Sequence, residues 1–255
     1  MAQAWTDFLK TAVLLLVRVS GLMVFAPPFS SKAIPVRIKI ALTVALTWVI
    51  VPIAAVSSRP IDLGLESILG ELSVGLLMGI CISFVQEALV FAGYLLNLEF
   101  SFSLVNVLDP GTSINTPLMG QFADLIFLLV LFTGGLYRVV VEAMFRTIVA
   151  VPPGHARFDA MISPAVVTMF GGILLAGLQL ASPIMAATFL VQITVALVGK
   201  ISPTVPVMIL GIPLKTLSGY VVLIACLGLW PSFIDERFSA LLDAAMQLIQ
   251  QHAGA

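Results

Sequence analysis

Of the 255 residues, 60% are apolar and only 25 are charged, 12 Lys or Arg and 13 Asp or Glu, where a soluble domain one-quarter charged would carry roughly 64. With a mean hydropathy of +1.14, no aqueous fold of this size could hide so much apolar surface, so lipid is the expected solvent. A net charge of -1 offers no polycation for nucleic acid.

The first apolar stretch runs from Thr11 to Pro27 with Arg18 inside it. Asp7 stands where a secretory leader would be basic, and Pro27-Pro28 follows the best cleavage candidate, so a retained helix is expected. Ile40 to Ser58 is 19 residues without a charge. Ile68 to Leu108, with Glu71, Glu87 and Glu99, is too long for one pass and is divided near Glu87. Leu118 to Tyr137 carries Asp124. Ala160 to Gly199 is a charge-free run of 40 residues, about 60 Å as one helix and twice the hydrocarbon core. Ser163-Pro164, Ser182-Pro183 and Ser202-Pro203 recur at intervals of 19 and 20 residues, and because serine caps helices and proline suits a first helical position, the run reads as two helices of bilayer length, each restarted by a Ser-Pro pair. The alternative is one long helix kinked at Pro183. Thr216 to Ile234 is another 19 charge-free residues.

The fold class is therefore all-α, a polytopic membrane protein of six to eight broken apolar helices. The maximal set of passes is 11–27, 40–58, 68–86, 88–108, 118–137, 161–182, 183–199 and 216–234. With eight passes and the N-terminus outside, Lys32, Arg37, Lys39, Arg138, Arg146, Arg157, Lys200 and Lys215 lie inside and only Lys10, Arg59 and Arg237 outside, as the positive-inside rule asks. Trp5, Trp48 and Trp230 fall near outer ends, where indole prefers the interface. From Asp235 to Gln251 the pattern changes. Phe238, Leu241, Leu242, Ala245, Leu248 and Ile249 share one face and Arg237, Asp243 and Gln247 another, giving an amphipathic helix for a membrane surface or a neighbouring subunit.

Charges in hydrocarbon cost at least about 2.5 kcal/mol each, so Arg18, Glu71, Glu87, Glu99 and Asp124 need partners, water or burial. The acids at 71, 87 and 99 are 16 and 12 residues apart, too scattered in depth for a proton relay, and read instead as interhelix pairs or helix ends. Asn97, Glu99 and Ser101 alternate with apolar residues, compatible with a polar lumen face. Gly75 and Gly79 form a GxxxG pattern, and Gly171, Gly172 and Gly177 with Ala176 a second small-residue surface, where backbones can approach closely. Asp109, Pro110, Gly111, Thr112, Ser113, Ile114 and Asn115 form a strong loop signal ending at Pro117.

Cys81 and Cys226 sit in apolar surroundings and His155 and His252 stand apart, so neither a disulfide framework nor a metal site is expected. The nucleotide fingerprints GxxxxGK[ST] and GxGxxG are absent, as are GxSxG, HExxH and a Ser-His-Asp spacing. No cofactor and no enzymatic activity are expected.

Across nearly the whole length the residues resemble one family, that of FliR, the flagellar type III export-gate protein, which has SctT counterparts in injectisomes. The most specific block runs from Gly177 to Ala187, through Lys200-Ile-Ser-Pro203, to Leu210-Gly-Ile-Pro-Leu-Lys215 and Gly219. Further matches are Arg18, Pro28-Phe29, Ile34-Pro35, Arg37, Lys39, Glu71, Gly75, Gly79, Ala92-Gly93, Asp109-Pro110 and Pro152-Pro153-Gly154. Asn97 to Ser101, Gly135-Leu136-Tyr137 and Phe145-Arg146-Thr147 depart from the family pattern.

The resemblance implies a single copy assembling in the bacterial inner membrane, within the flagellar basal body, with several copies of FliP and FliQ into a closed conical channel, FlhB binding at the cytoplasmic side. It implies a FliP-like part over 1–160, a FliQ-like hairpin over 161–234 around a loop from Lys200 to Lys215, and an amphipathic helix over 235–255. The loop at 105–117 corresponds in position to the family's plug, with Gly111 supplying backbone freedom and Ile114 blocking the opening. Unfolded export substrates would pass through the lumen. Lys200 and Lys215 are expected to dock FlhB or anionic membrane lipid. Competing readings are a small-solute transporter, since broken helices and intramembrane acids also serve transport, and a scaffold with no pore-lining role.

Overall fold

The computed structural model describes residues 2–27, 29–31, 34–54, 63–101, 117–156, 164–202 and 207–253. Among them are eight helices and no strand: α1 Ala2–Phe25, α2 Val36–Ala54, α3 Leu65–Glu99, α4 Leu118–Thr133, α5 Leu136–Ala150, α6 Pro164–Ile201, α7 Val207–Leu227 and α8 Trp230–Ala253. Five helices are long and apolar enough to cross a membrane, six if α4 and α5 count as one bent span. This is a polytopic helical membrane protein at the low end of the expected six to eight passes.

Several expected boundaries are corrected. The division near Glu87 does not exist, because α3 runs unbroken for 35 residues. No proline interrupts it, and in hydrocarbon a helix keeps every backbone group satisfied where a break would not. The restart at Ser182-Pro183 is also absent, and the single-helix alternative is the one observed: α6 has 38 residues with Pro183 inside it. Proline lacks the N–H that would bond the carbonyl four residues back, here that of Gln179, and the Ser182 hydroxyl donates to this oxygen at 2.9 Å. Serine thus repairs the defect that the next residue makes. Pro164 does open α6 as a first helical residue. At its other end α6 stops at Ile201, and the Ser202 N–H bonds the Val198 carbonyl. The loop from Lys200 to Lys215 shrinks accordingly, because Lys200 lies in the last turn of α6 and Lys215 within α7.

The 118–137 pass breaks at its end instead of continuing. Gly135 takes φ 75° and ψ 12°, a left-handed conformation that glycine adopts at no steric cost, and α5 leaves α4 at 69°. The 216–234 pass is likewise replaced by α7 and by α8, which starts at Trp230. Trp230 is buried, so the outer-end tryptophan pattern rests on Trp5 and Trp48, both exposed.

The chain forms two compact units, residues 1–85, 131–170 and 236–255 in the first and 86–130 and 171–235 in the second. In the first, α1 and α2 pack together and Leu14, Leu15, Leu77 and Ile82 are fully buried. The amphipathic tail buries Phe238, Leu242, Ala245 and Ile249, and its Leu242 and Met246 share a small groove with Val139 and Ala143 of α5. In the second unit, Leu89, Phe127, Ala181 and Ile184 are buried.

Candidate functional site

The intramembrane charges resolve into separate clusters. In the first unit, Arg18 of α1 and Glu71 of α3 are both 0% exposed, and Arg18 Nε donates to Glu71 Oε2 at 2.6 Å. The rest of the guanidinium is shared out: Nη2 donates to the Val151 carbonyl at 3.1 Å and Nη1 to Thr147 Oγ1 at 3.4 Å. Glu71 Oε1 accepts the Gly154 N–H at 2.8 Å. A buried ion pair compensates its desolvation only when the remaining donors and lone pairs are also engaged, and this one is closed by the end of α5 and the Pro152-Pro153-Gly154 turn. Gly154 has φ 87°, a backbone that presents its N–H to the carboxylate and that side chains rarely adopt.

Glycines make the approach possible. A Cβ on Gly75 would fall on the Arg18 carbonyl, and one on Gly79 would lie 2.7 Å from the Leu22 oxygen. The GxxxG pair thus seats α1 directly on α3. Gly21 answers from α1, with a Cβ there 3.0 Å from the Leu72 oxygen.

In the second unit, α3 ends at Glu99, whose Oε2 accepts from Lys215 Nζ at 3.0 Å and from Thr188 Oγ1 at 2.8 Å. The next residue, Phe100, stacks on Tyr220 with centroids 4.7 Å apart and lies over Gly219, where any side chain would strike its ring. Ser101 follows with φ 59°. Two elements, α6 and α7, therefore converge on the end of α3, just before the 102–116 segment. Nearby in sequence, the Asn97 Oδ1 is buried and without a hydrogen bond among the described residues. Asp124 accepts from Gln86 Nε2.

The expected residues divide clearly. Arg18, Glu71, Glu99 and Asp124 all have partners on other helices, whereas Glu87 is exposed. Gly75, Gly79 and Gly177 make tight helix contacts, the last with Ala88 and Phe91. Gly171 and Gly172 do not: both are exposed, with nothing within 4 Å of an added Cβ, so as packing residues within this chain they are corrected. Lys200 is exposed, while Lys215 is engaged by Glu99 with only 14% of its side chain accessible. Asp109, Pro110, Gly111, Thr112, Ser113, Ile114 and Asn115 lie outside the described residues. Thr147, Val151 and Gly93 were not singled out as site residues by the sequence. A Cβ on Gly93 would fall on the Met119 carbonyl, and its only sequence signal is the Ala92-Gly93 pair. Among the described residues no group of His, Cys, Asp and Glu could hold a metal ion.

Comparisons with known proteins meet this geometry. Residues 9–241 match the family model of bacterial export proteins, family 1. The flagellar biosynthetic protein FliR of Escherichia coli is 23% identical over 252 residues, covering 98% of this chain and 97% of the relative. That of Bacillus subtilis is 23% identical over 251 residues, covering 95% and 96%. The Yop proteins translocation protein T of Yersinia pestis is 27% identical over 252 residues, covering 94% and 95%. Arg18, Glu71, Gly75 and Pro152 to Gly154, scattered anchors of the resemblance, are the residues that meet in the buried knot. The chain belongs to the bacterial export proteins, family 1, the family of FliR.

Proposed function

We propose that the chain is a non-enzymatic subunit of the flagellar type III protein export gate in the bacterial inner membrane, where it helps form and close the channel for unfolded flagellar substrates. Its partners are FliP and FliQ within the gate and FlhB at the cytoplasmic side. The division into a FliP-like part over 1–160, a FliQ-like hairpin over 161–234 and a C-terminal helix over 235–255 belongs to the same reading.

One observation carries it. Only 11% of an apolar 18-residue window in α6, and 11% of the Leu210–Leu227 span of α7, is buried within the chain, while the same unit spends an ion pair, an aromatic stack and a glycine contact on α7 and the Thr188 hydrogen bond on α6 at the end of α3. A rigidly held but uncovered apolar pair suits a subunit that other chains complete. The rigid anchorage lies directly before the 105–117 loop, which on this reading is the plug, with Gly111 as its pivot and Ile114 as its stopper.

Expression of the tagged chain with and without FliP and FliQ tests the reading. The chain should copurify with both and accumulate to a higher level in their presence, and a solute-transporting monomer in liposomes would replace the gate by a transporter. Gly111→Trp in assembled gates should change ion leakage or export, and wild-type behaviour in both would remove the plug role. The Yersinia relative supports an injectisome gate as the second reading, separable by whether the chain restores motility to a flagellar deletion strain.

A further inference from the structure

We infer that the first unit binds one anionic phospholipid, with an acyl chain in an apolar cavity between α1, α2 and α5 and the phosphate at Arg138 and Lys39. The cavity has a volume of about 230 Å³ and is walled by Val19 and Met23 of α1, Ala26 just beyond it, Leu46 of α2, and Val140 and Met144 of α5. Such a space stays dry: a cavity of about 150 Å³ with similar walls takes up benzene instead of water. It is large enough for a run of methylenes and too narrow for a helix, whose diameter with side chains is about 10–12 Å. Both α1 and α2 are long and apolar enough to span the membrane, so the space between them opens onto hydrocarbon.

The charge lies at one end. Arg18 meets Thr147 and Val151, and beyond that knot the walls run forward along α1 and just past it from Val19 to Ala26 and backward along α5 from Met144 to Tyr137. Tyr137 and Arg138 therefore stand level with the end of α1, about 12 Å from the knot at 1.5 Å per residue. There the span finishes and phosphates begin. Tyr137 lines the cavity, and its hydroxyl accepts from Arg138 Nε at 3.0 Å, the guanidinium lying 5.6 Å from the ring centroid. The carboxylate one turn on, Glu142, is taken by Arg146 at 2.7 Å, and Arg138 has no carboxylate partner among the described residues.

Lys39 joins from α2. It lines a second groove that shares Met23 and Phe29 with the cavity, and it sits one turn before Leu42, the first α2 residue of the wall. Its Nζ donates once, to the Ser31 carbonyl at 2.9 Å, leaving two donors. No acidic residue lines either space among the described residues. Two cations at the interfacial end of an acyl-sized slot select a negative headgroup, as basic pockets between membrane helices do.

The test is independent of the export reading. The full chain is equilibrated in nanodiscs of dioleoyl phosphatidylglycerol and dioleoyl phosphatidylcholine at equal fractions, extracted, and its retained lipid counted by native mass spectrometry. The wild type should keep one phosphatidylglycerol. Arg138→Ala and Lys39→Ala should each lower the preference over phosphatidylcholine about fivefold, and Arg138→Lys should restore most of it. Leu46→Trp should empty the slot of both lipids alike. Because Arg138 is exposed, its variants leave the fold intact even if Leu46→Trp does not. Equal retention of the two lipids by the wild type, or an unchanged preference in Arg138→Ala and Lys39→Ala, would overturn the inference.

Discussion

Replacing Arg18 by Met leaves Glu71 with nothing but the Gly154 N–H beside it, at a site without solvent access. Removing one partner of a buried pair costs about 3–5 kcal/mol, and an unpaired charge at the centre of a membrane helix costs about 2.5–3.5 kcal/mol on insertion scales. The two figures overlap near 3 kcal/mol, about two orders of magnitude in the folded ratio. Glu71→Met should cost as much, stranding the guanidinium. The double variant should not cost the sum. It strands no charge and leaves the Gly154 N–H and the Val151 carbonyl without their side-chain partners, about 1–3 kcal/mol for each such group, while the Thr147 hydroxyl loses Arg18 but keeps its bond to the Met144 carbonyl. A double-mutant cycle, measured by detergent-driven unfolding of the full chain in mixed micelles, should therefore return a favourable coupling of about 2 kcal/mol. Singles as stable as wild type, or a double variant as damaged as the sum, would refute the view that the knot is a mutually dependent unit.

Gly75→Ala should cost about 1–3 kcal/mol by pushing α1 off α3, whereas Gly171→Ala, facing open space, should be neutral or gain about 1 kcal/mol of helix propensity; thermal unfolding in detergent compares them. Ser182→Ala should destabilise α6 by about 1 kcal/mol and lose that effect in a Pro183→Ala background, where the backbone supplies its own donor to the Gln179 oxygen. Lys215→Ala should cost about 1.5–3 kcal/mol, the worth of hydrogen bonds to a charged group, and the swap of Glu99→Lys with Lys215→Glu should recover part of it in the same unfolding assay. Gly135→Val should cost about 1–2 kcal/mol through left-handed backbone alone, since its Cβ would meet nothing within 4 Å; Gly135→Asn should be milder.

Composition carried the membrane class, and charge cost carried the choice of polar residues. Arg18, Glu71, Glu99 and Asp124 drew attention because hydrocarbon does not tolerate lone charges, and each proved to have a partner. Which partner was hidden. Nothing near Arg18 in sequence points to Glu71, 53 positions away, or to the main-chain groups of Val151 and Gly154, which have no side-chain signature. GxxxG spacing points to Gly75 and Gly79, and a run of small residues points equally to Gly171 and Gly172, because pattern alone cannot say whether a neighbour is present. The Ser-Pro pairs misled for a chemical cause: serine beside proline can cap a new helix or heal an old one, and only the position of the Gln179 carbonyl decides. Gly135 lay inside an apolar run, where a helical glycine and a left-handed hinge look alike.

The buried knot also sets a timetable for the newborn chain. Glu71 follows Arg18 by 53 residues and Gly154 follows Glu71 by 83, delays of roughly 3–11 s and 4–17 s at ribosomal rates of about 5–20 residues per second. Until those intervals elapse, the first helix carries a solitary guanidinium and then the third an incompletely cradled carboxylate, each costly in hydrocarbon. Biosynthesis of this chain thus demands an insertase that shelters early segments while later ones are still being made, and a ribosome stalled before residue 154 should leave the nascent protein open to proteolysis.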